Sequence, residues 1–331
     1  MRAVAPKSLS LERNYDETVA FFQQIKKLGA LVAKYSAPRH HIPRFEIVFG
    51  GVEFLSVRSA VIVAAEIDRL RRLTGVTLTY QGRSSISEDV TAILSELGCF
   101  HLAEIDHPEE SGDKTHSRKT LIKLRSGRSL DDHAFEEFDR ALGGIFYKYH
   151  SLPELFEGMG EALLNVRHHA YHDQVEVRFP CPGKRWWATA CIDYESSELR
   201  VFVFDQGVGI PATLPYTGAM ERMLSAFKAL PSASLNDDAT LLKGALEYTR
   251  SRTKHPGRGK GFRDIMSTVD AYQGSRLRIA SGKAEVTYSG RNAIVTARRN
   301  EHVGGTLIEW TLPMHLFDSE QGEPNDDDQY S

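Results

Sequence analysis

GEALLNVRHHAY, residues 160–171, sets Glu161, Asn165 and His169 at intervals of four. A helix turns about 100° per residue, so the three polar groups stack with a drift of roughly 40° per step and share one stripe. Ala162, Leu163, Leu164 and Val166 then pack elsewhere. A carboxylate, an amide and an imidazole in one row orient water, ligate Mg²⁺ through a hard oxygen and meet a base ring. Taken alone, the same helix reads equally well as a wet polar face.

Working outward, LRVFVFDQGVGIP (199–211) has the apolar content of a buried strand and places Asp205 where the chain leaves the sheet. Gly207 and Gly209 strip side chains from the turn that follows, so backbone approaches a flat ligand closely. A carboxylate at a strand end accepts a hydrogen bond from an exocyclic amine, although many turns carry Asp and Gly for conformational reasons alone. A third element, Gly257-Arg-Gly259-Lys260-Gly261, feeds the amphipathic run FRDIMSTVDAYQG. Glycine-rich backbone at a helix N-terminus suits phosphate oxygens. The spacing fits neither the dinucleotide fingerprint nor a P-loop. A fourth, Gly304-Gly305-Thr306, opens the alternating strand TLIEWTLP.

The order E-x-x-x-N-x-x-x-H, D-x-G-x-G-I, G-x-G-x-G and G-G-T over residues 151–314 resembles the GHKL superfamily of gyrase, heat-shock chaperones, histidine kinases and mismatch-repair ATPases. The resemblance implies a Bergerat α/β sandwich that binds ATP and Mg²⁺ beneath a lid. It implies that Asn165 ligates Mg²⁺, that Asp205 binds the adenine amine with Thr306 behind it, and that Gly207 and Gly209 shape the base pocket. Gly257, Gly259 and Gly261 would meet phosphates, with Lys260 beside them. Glu161 resembles the glutamate base of the hydrolysing ATPases and anti-sigma-factor serine kinases, where histidine kinases usually have a non-acid. EALLNVRHHAY is especially similar to the anti-sigma kinase helix, down to Tyr171, and His168 stands where histidine kinases carry a lysine near the phosphates.

Composition bounds the reading. A chain of 331 residues with 41% hydrophobic content predicts about two domains with ordinary cores. A net charge of −3 argues against a dedicated nucleic-acid binder. The basic run from Arg250 to Arg263 sits on the expected lid, where nucleotide phosphate is the better ligand. Cys99, Cys181 and Cys191 make an odd count without C-x-x-C spacing, which favours reduced thiols. No apolar run is long enough for a membrane span and the first residues lack a signal-peptide region, so a cytoplasmic location is expected.

Alternation of strands and helices predicts a small α/β domain over 1–106, a polar linker over 107–119, the ATP-binding domain over 120–316 and an acidic tail over 317–331 without fixed structure. The first domain resembles STAS domains, the partners of anti-sigma kinases, through the rhythm of VEFLSVRSAVIVAAEIDRL. Its phosphorylation signature is altered: Ser56 and Val57 fall where the family has an aspartate and a serine, and Ser59 is displaced. Trp186 and Trp187 read as neighbouring strand residues, one ring inside and one outside. His168 and His172, four apart, lack an evident third ligand for a metal. Together these features predict a bacterial-type signalling ATPase or protein kinase whose nucleotide state controls a protein partner, with homodimerisation open. The alternative is a nucleotide-gated binding module with little or no catalysis.

Overall fold

The computed structural model describes residues 2–35, 46–75, 79–81, 86–103, 118–130, 133–146, 152–177, 179, 181–216, 237–251, 261–290 and 293–317. The first part of the chain follows its apolar runs: β1 (Arg2–Val4), β2 (Ser8–Leu9), α1 (Tyr15–Tyr35), β3 (Glu46–Val48), β4 (Phe54–Leu55), α2 (Val57–Thr74) and β5 (Thr79–Gln81). β1, β3 and β5 form a parallel sheet in that order, while β2 and β4 make a separate parallel pair. FEIVFGGVEFL, which reads as one strand, is therefore split between two sheets, with a turn closed by Val52 N–H donating to the Phe49 carbonyl. Ser56 caps α2 by accepting from the Ser59 amide, and Gly75 ends it at φ 62°, donating to the Arg71 carbonyl. Ser87 caps α3 (Glu88–Glu96) as its sequence predicts. SEDVTAILSELGCFHL (87–102) reads as a single helix, but it breaks at Gly98 and α4 (Cys99–Leu102) begins anew.

The second part builds an antiparallel sheet of eight strands. These are β6 (Lys119–Leu121), β7 (Arg125–Gly127), β8 (Trp186–Asp193), β9 (Glu198–Asp205), β10 (Arg276–Ser281), β11 (Ala284–Tyr288), β12 (Ile294–Arg298) and β13 (Thr306–Pro313). Their order is β12-β11-β10-β13-β9-β8-β6, with β7 also on β8. Among the described residues this part has the α-helices α5 (His133–Ile145), α6 (Pro153–Asn165), α7 (Ile210–Thr213), α8 (Asp238–Ser251) and α9 (Gly261–Ala271). Side chains alternate across a strand, so each strand serves two faces. Trp186, Ala188 and Ala190 of β8 and Leu199, Val201 and Val203 of β9 pack with Leu142, Met159, Leu246 and Ile265 of α5, α6, α8 and α9.

The opposite face packs on the first part of the chain. Trp187, Cys191, Phe202, Phe204 and Leu307 share one continuous core with Phe22, Ile25, Val61 and Ala65 of α1 and α2. Both tryptophans are consequently 0% exposed, which corrects the expectation of one ring outside. The alternation is as expected, but the face assigned to water is covered. α2 lies between the layers and is buried from Val57 to Leu70 on every side. A helix apolar all round is an interior helix, so its charges must be paired.

They are paired, mostly outside α2 itself. Arg58 Nε lies 3.0 Å from Glu309 on β13 and Nη2 3.4 Å from Glu285 on β11, with Glu12 at 3.5 Å. Glu66 meets Lys26 of α1 at 2.7 Å and Arg69 at 2.9 Å. Asp68 accepts from Trp187 Nε1 at 2.9 Å and from Arg72. Ser59 is fully buried and its hydroxyl accepts from the Leu11 amide, while Ser56 serves as the cap. Both serines therefore do structural work in α2.

The sequence between Ile210 and Gly257, with its polar stretch PSASLNDDA and basic exit, suits a lid that orders over bound triphosphate, yet it is partly core: Leu242 and Leu246 of α8 are 0% exposed. Residues 217–236, 252–260, 104–117 and 318–331 lie outside the described residues, and with them most of the expected linker, the acidic tail, Gly257, Gly259 and Lys260.

Because one core joins both parts, unfolding is expected as a single transition. All three tryptophans sit on the large sheet, so their fluorescence and the far-ultraviolet helix signal should coincide in urea. Trp187→Phe should cost about 1.5–3 kcal/mol, the value of a hydrogen bond to a charged group, without splitting the transition. Two separated transitions would show that the parts fold independently.

Candidate functional site

α6 forms because Pro153 sits in its first turn and Leu155, Met159, Ala162 and Leu163 recur on the core side. Gly158 lets it approach α9: a Cβ there would lie 3.0 Å from the Asp264 carbonyl. The same flank carries Glu161 and Asn165, both half-buried. A Cβ on Gly261 would lie 2.5 Å from Glu161 Oε1 and 3.3 Å from Asn165 Nδ2. The two side chains therefore face the first residue of α9, where backbone N–H groups lack helical acceptors and the helix dipole is positive. Burial, and next the Asp264 carboxylate, push Glu161 above the usual carboxylate range.

After Asn165 the helix widens into a π turn over Val166–Ala170. The uniform step that aligned Glu161, Asn165 and His169 in the sequence stops at Asn165. Wide turns of this kind are rare and frequently accompany functional sites, and no residue type here announces one. His168 and His169 are exposed, their rings 6.1 Å apart. Partial burial of the His169 ring, then the imidazoles of His168 and His172, draw its pKa below the ordinary value. His172 stands 5.2 Å from the Tyr216 ring.

The end of the π turn is locked to the strand end of β9. Val208 N–H donates to the Ala170 carbonyl at 2.9 Å, and a Cβ on Gly207 would come within 2.0 Å of that same oxygen, so only glycine fits. Tyr171 completes the lock. Its hydroxyl donates to the Arg185 carbonyl at 2.7 Å and accepts from the Gln206 amide at 3.3 Å.

Asp205 is 5% exposed and sits opposite Thr306 in the β9–β13 register. Its Oδ1 accepts from the Gly207 amide at 2.7 Å, and Thr306 donates to it through both backbone and hydroxyl. The Thr306 hydroxyl also lies 3.0 Å from Ser281 Oγ, which in turn accepts from the Ile210 amide beside Gly209. Burial raises the Asp205 pKa to about 7 against these hydrogen bonds. One wall thus runs from Gly261 past Glu161 and Asn165 to Ala170, then through Gly207 to Asp205, Thr306 and Gly209.

Among the described residues, no three His, Cys, Asp or Glu side chains come together as a metal cluster. Mg²⁺ takes one or two protein oxygens and completes its shell with water and phosphate, and Asn165, whose amide faces Gly261, carries one oxygen of that kind. A surface groove of about 510 Å³ lies elsewhere, lined by Phe135, Glu136, Asp139, Arg140 and Phe156. Sequence reasoning missed Lys26, Arg58, Glu66, Gln206 and Glu309. The available signal was four charges, Arg58, Glu66, Asp68 and Arg69, in the largely apolar stretch Val57–Leu70 of α2. Compared with family models and with curated proteins, the chain matches none.

The raised Asp205 pKa makes a stability prediction with a definite sign. Between about pH 4 and 7 the folded state holds a proton that the unfolded chain releases, so this contribution is full below pH 4 and lost as pH rises through 7. Wild-type stability relative to Asp205→Asn should fall by up to about 1.4 kcal/mol per pH unit across that window and level off above it. Urea titrations at pH 5, 6 and 8 measure it. Parallel pH dependences in the two proteins would remove Asp205 as the source.

Proposed function

We propose that this chain is an ATP-dependent signalling protein of the GHKL type, with a Bergerat α/β sandwich over 120–316 and a STAS-like module over 1–106. One observation carries the reading: α6 presents Glu161 and Asn165 to Gly261 while its far end is locked to Gly207, next to Asp205 and Thr306. Motifs scattered from residue 161 to residue 306 supply one wall with an acid, an amide, a helix N-terminus and a buried carboxylate at its base end.

Each group has a task along that wall. The Asp205 carboxylate accepts the exocyclic amine of adenine, and Thr306 and the Gly207 amide hold it in place. Gly207 admits the close approach of Ala170 and Gly209 turns the chain at φ 89° beside Ser281, so both shape the turn next to Asp205. The N-terminus of α9 takes phosphate oxygens through its backbone N–H groups. Mg²⁺, held on the protein side by Asn165, would neutralise phosphate charge. Glu161 is half-buried and has a raised pKa, as suits a base that takes a proton from the group attacking the terminal phosphate. That group is water in an ATPase and a protein hydroxyl in a kinase.

The described residues contain no helix long and apolar enough to cross a membrane. With that and the formal charge of −3, the reading keeps ATP and a protein partner as the ligands.

Calorimetry and turnover on the whole chain test the proposal together. Asp205→Asn should weaken ATP by about 1.5–3 kcal/mol, roughly tenfold to a hundredfold. Glu161→Ala should retain ATP affinity and lose hydrolysis or phosphotransfer by about a hundredfold or more. ATP that fails to bind the wild type, or binds both Asp205 proteins alike, would overturn the reading. Binding without turnover in the wild type would leave a nucleotide-gated binding module.

A further inference from the structure

The charges of α2 fall into separate groups, and one lies against the turns that carry the proposed base-binding residues. Glu66 Oε1 is shared by Lys26 Nζ and by Gln206 Nε2, each at 2.7 Å, while Oε2 accepts from Arg69 Nε at 2.9 Å. Gln206 directly follows Asp205 in the chain. Lys26 Nζ also donates to the Gly304 carbonyl at 3.1 Å, two residues before Thr306. A Cβ on Gly304 would sit 2.8 Å from that nitrogen, so the amino group presses directly on the turn. The first part of the chain therefore grips the exit of β9 and the entry of β13, the paired ends that bear Asp205 and Thr306.

The chemistry fixes the orientation of this contact. An ionised carboxylate only accepts, so the Gln206 amide must turn its nitrogen toward Glu66, and its Oε1 is left buried without a partner among the described residues. Glu66 is held below the usual carboxylate range: burial opposes its charge, but Lys26 and Arg69 outweigh burial. The charge of Lys26 also reaches Asp205 and draws its carboxyl down. By contrast, Arg58 contacts Glu285 near the start of β11 and Glu309 in the middle of β13. That second group ties the layers together.

We infer that Lys26, Glu66 and Gln206 are positioning residues: through them the seating of α1 and α2 sets how Asp205 and Thr306 present themselves to the base of a nucleotide. This rests on the nucleotide reading of the site. Any partner that shifts α1 or α2 then changes nucleotide affinity, and nucleotide changes partner affinity by the same factor. No residue of this relay touches the nucleotide itself.

Gln206→Met is the informative variant. It keeps the length of the side chain and leaves Glu66 with both of its cations, whereas Lys26→Met leaves the buried Glu66 with Arg69 alone and endangers the fold. Two measurements on the whole chain separate the relay from the site. Without nucleotide, amide hydrogen exchange in Gln206→Met should speed up at 205–209 and 304–306 while the melting temperature stays near the wild type. With nucleotide, ATP should bind about fivefold weaker or more, and the preference for ATP over GTP should narrow. A loosened fold alone would leave that preference intact. Unchanged exchange, or faster exchange with unchanged affinity and preference, would overturn the relay. Faster exchange in a protein whose wild type binds no ATP would uphold the physical link and overturn the nucleotide reading instead.

Discussion

Everything in this molecule depends on α2 being buried on all sides while carrying four charges. An unpaired charge in an apolar interior costs several kcal/mol, and breaking a buried pair typically costs about 3–5 kcal/mol. Glu66, Asp68 and Arg69 find opposite charges within the first part of the chain, whereas Arg58 takes its two closest ones from the large sheet, so docking satisfies Arg58 above all. Glu309, Glu285, Trp187 and Gln206 supply the partners from that side, and Lys26 of α1 closes the set. Docking covers the second face of the antiparallel sheet and turns a two-layer arrangement into a continuous three-layer one.

That constraint explains why the candidate site is assembled so tightly at one end. β9 and β13 are fixed from both faces, so Asp205 and Thr306 meet in register while buried. The end of α6 closes on the same point through Ala170, Gly207 and Tyr171. Its other end faces α9 at Gly261. The two carboxyl groups of the wall both have raised pKa values, chiefly from burial, but their surroundings differ. Asp205 is enclosed by fixed donors, as suits recognition. Glu161 is only half-buried and neighbours another acid, as suits a group that exchanges protons.

Local patterns were legible in the sequence and long-range ones were not. The apolar spacing of α6, the buried strand ending at Asp205, the Ser87 cap and the glycine stop of α2 all depend on neighbours a few residues away, and these features stand in the structure. Trp187 could not be placed because alternation assigns a face and says nothing about what covers it. The π turn after Asn165 also escaped, since no residue type marks it, and so did the break at Gly98, where the glycine takes φ 80°. α8 was hidden inside a stretch whose polar composition suggested a lid, although Leu242 and Leu246 mark its buried side. The charges within α2 were the overlooked clue to the docking. A helix cannot be both interior and charged without partners elsewhere in the chain.

The central claim is that one nucleotide lies along the wall from Gly261 to Thr306. Photolabelling the intact chain with an azido-adenine analogue of ATP, followed by mass spectrometry of the labelled peptides, tests it most directly. The account predicts label within residues 205–210 or 304–306, suppressed by excess ATP but not by GTP. Label at the groove of Phe135 and Phe156, or label that ATP does not suppress, would contradict it.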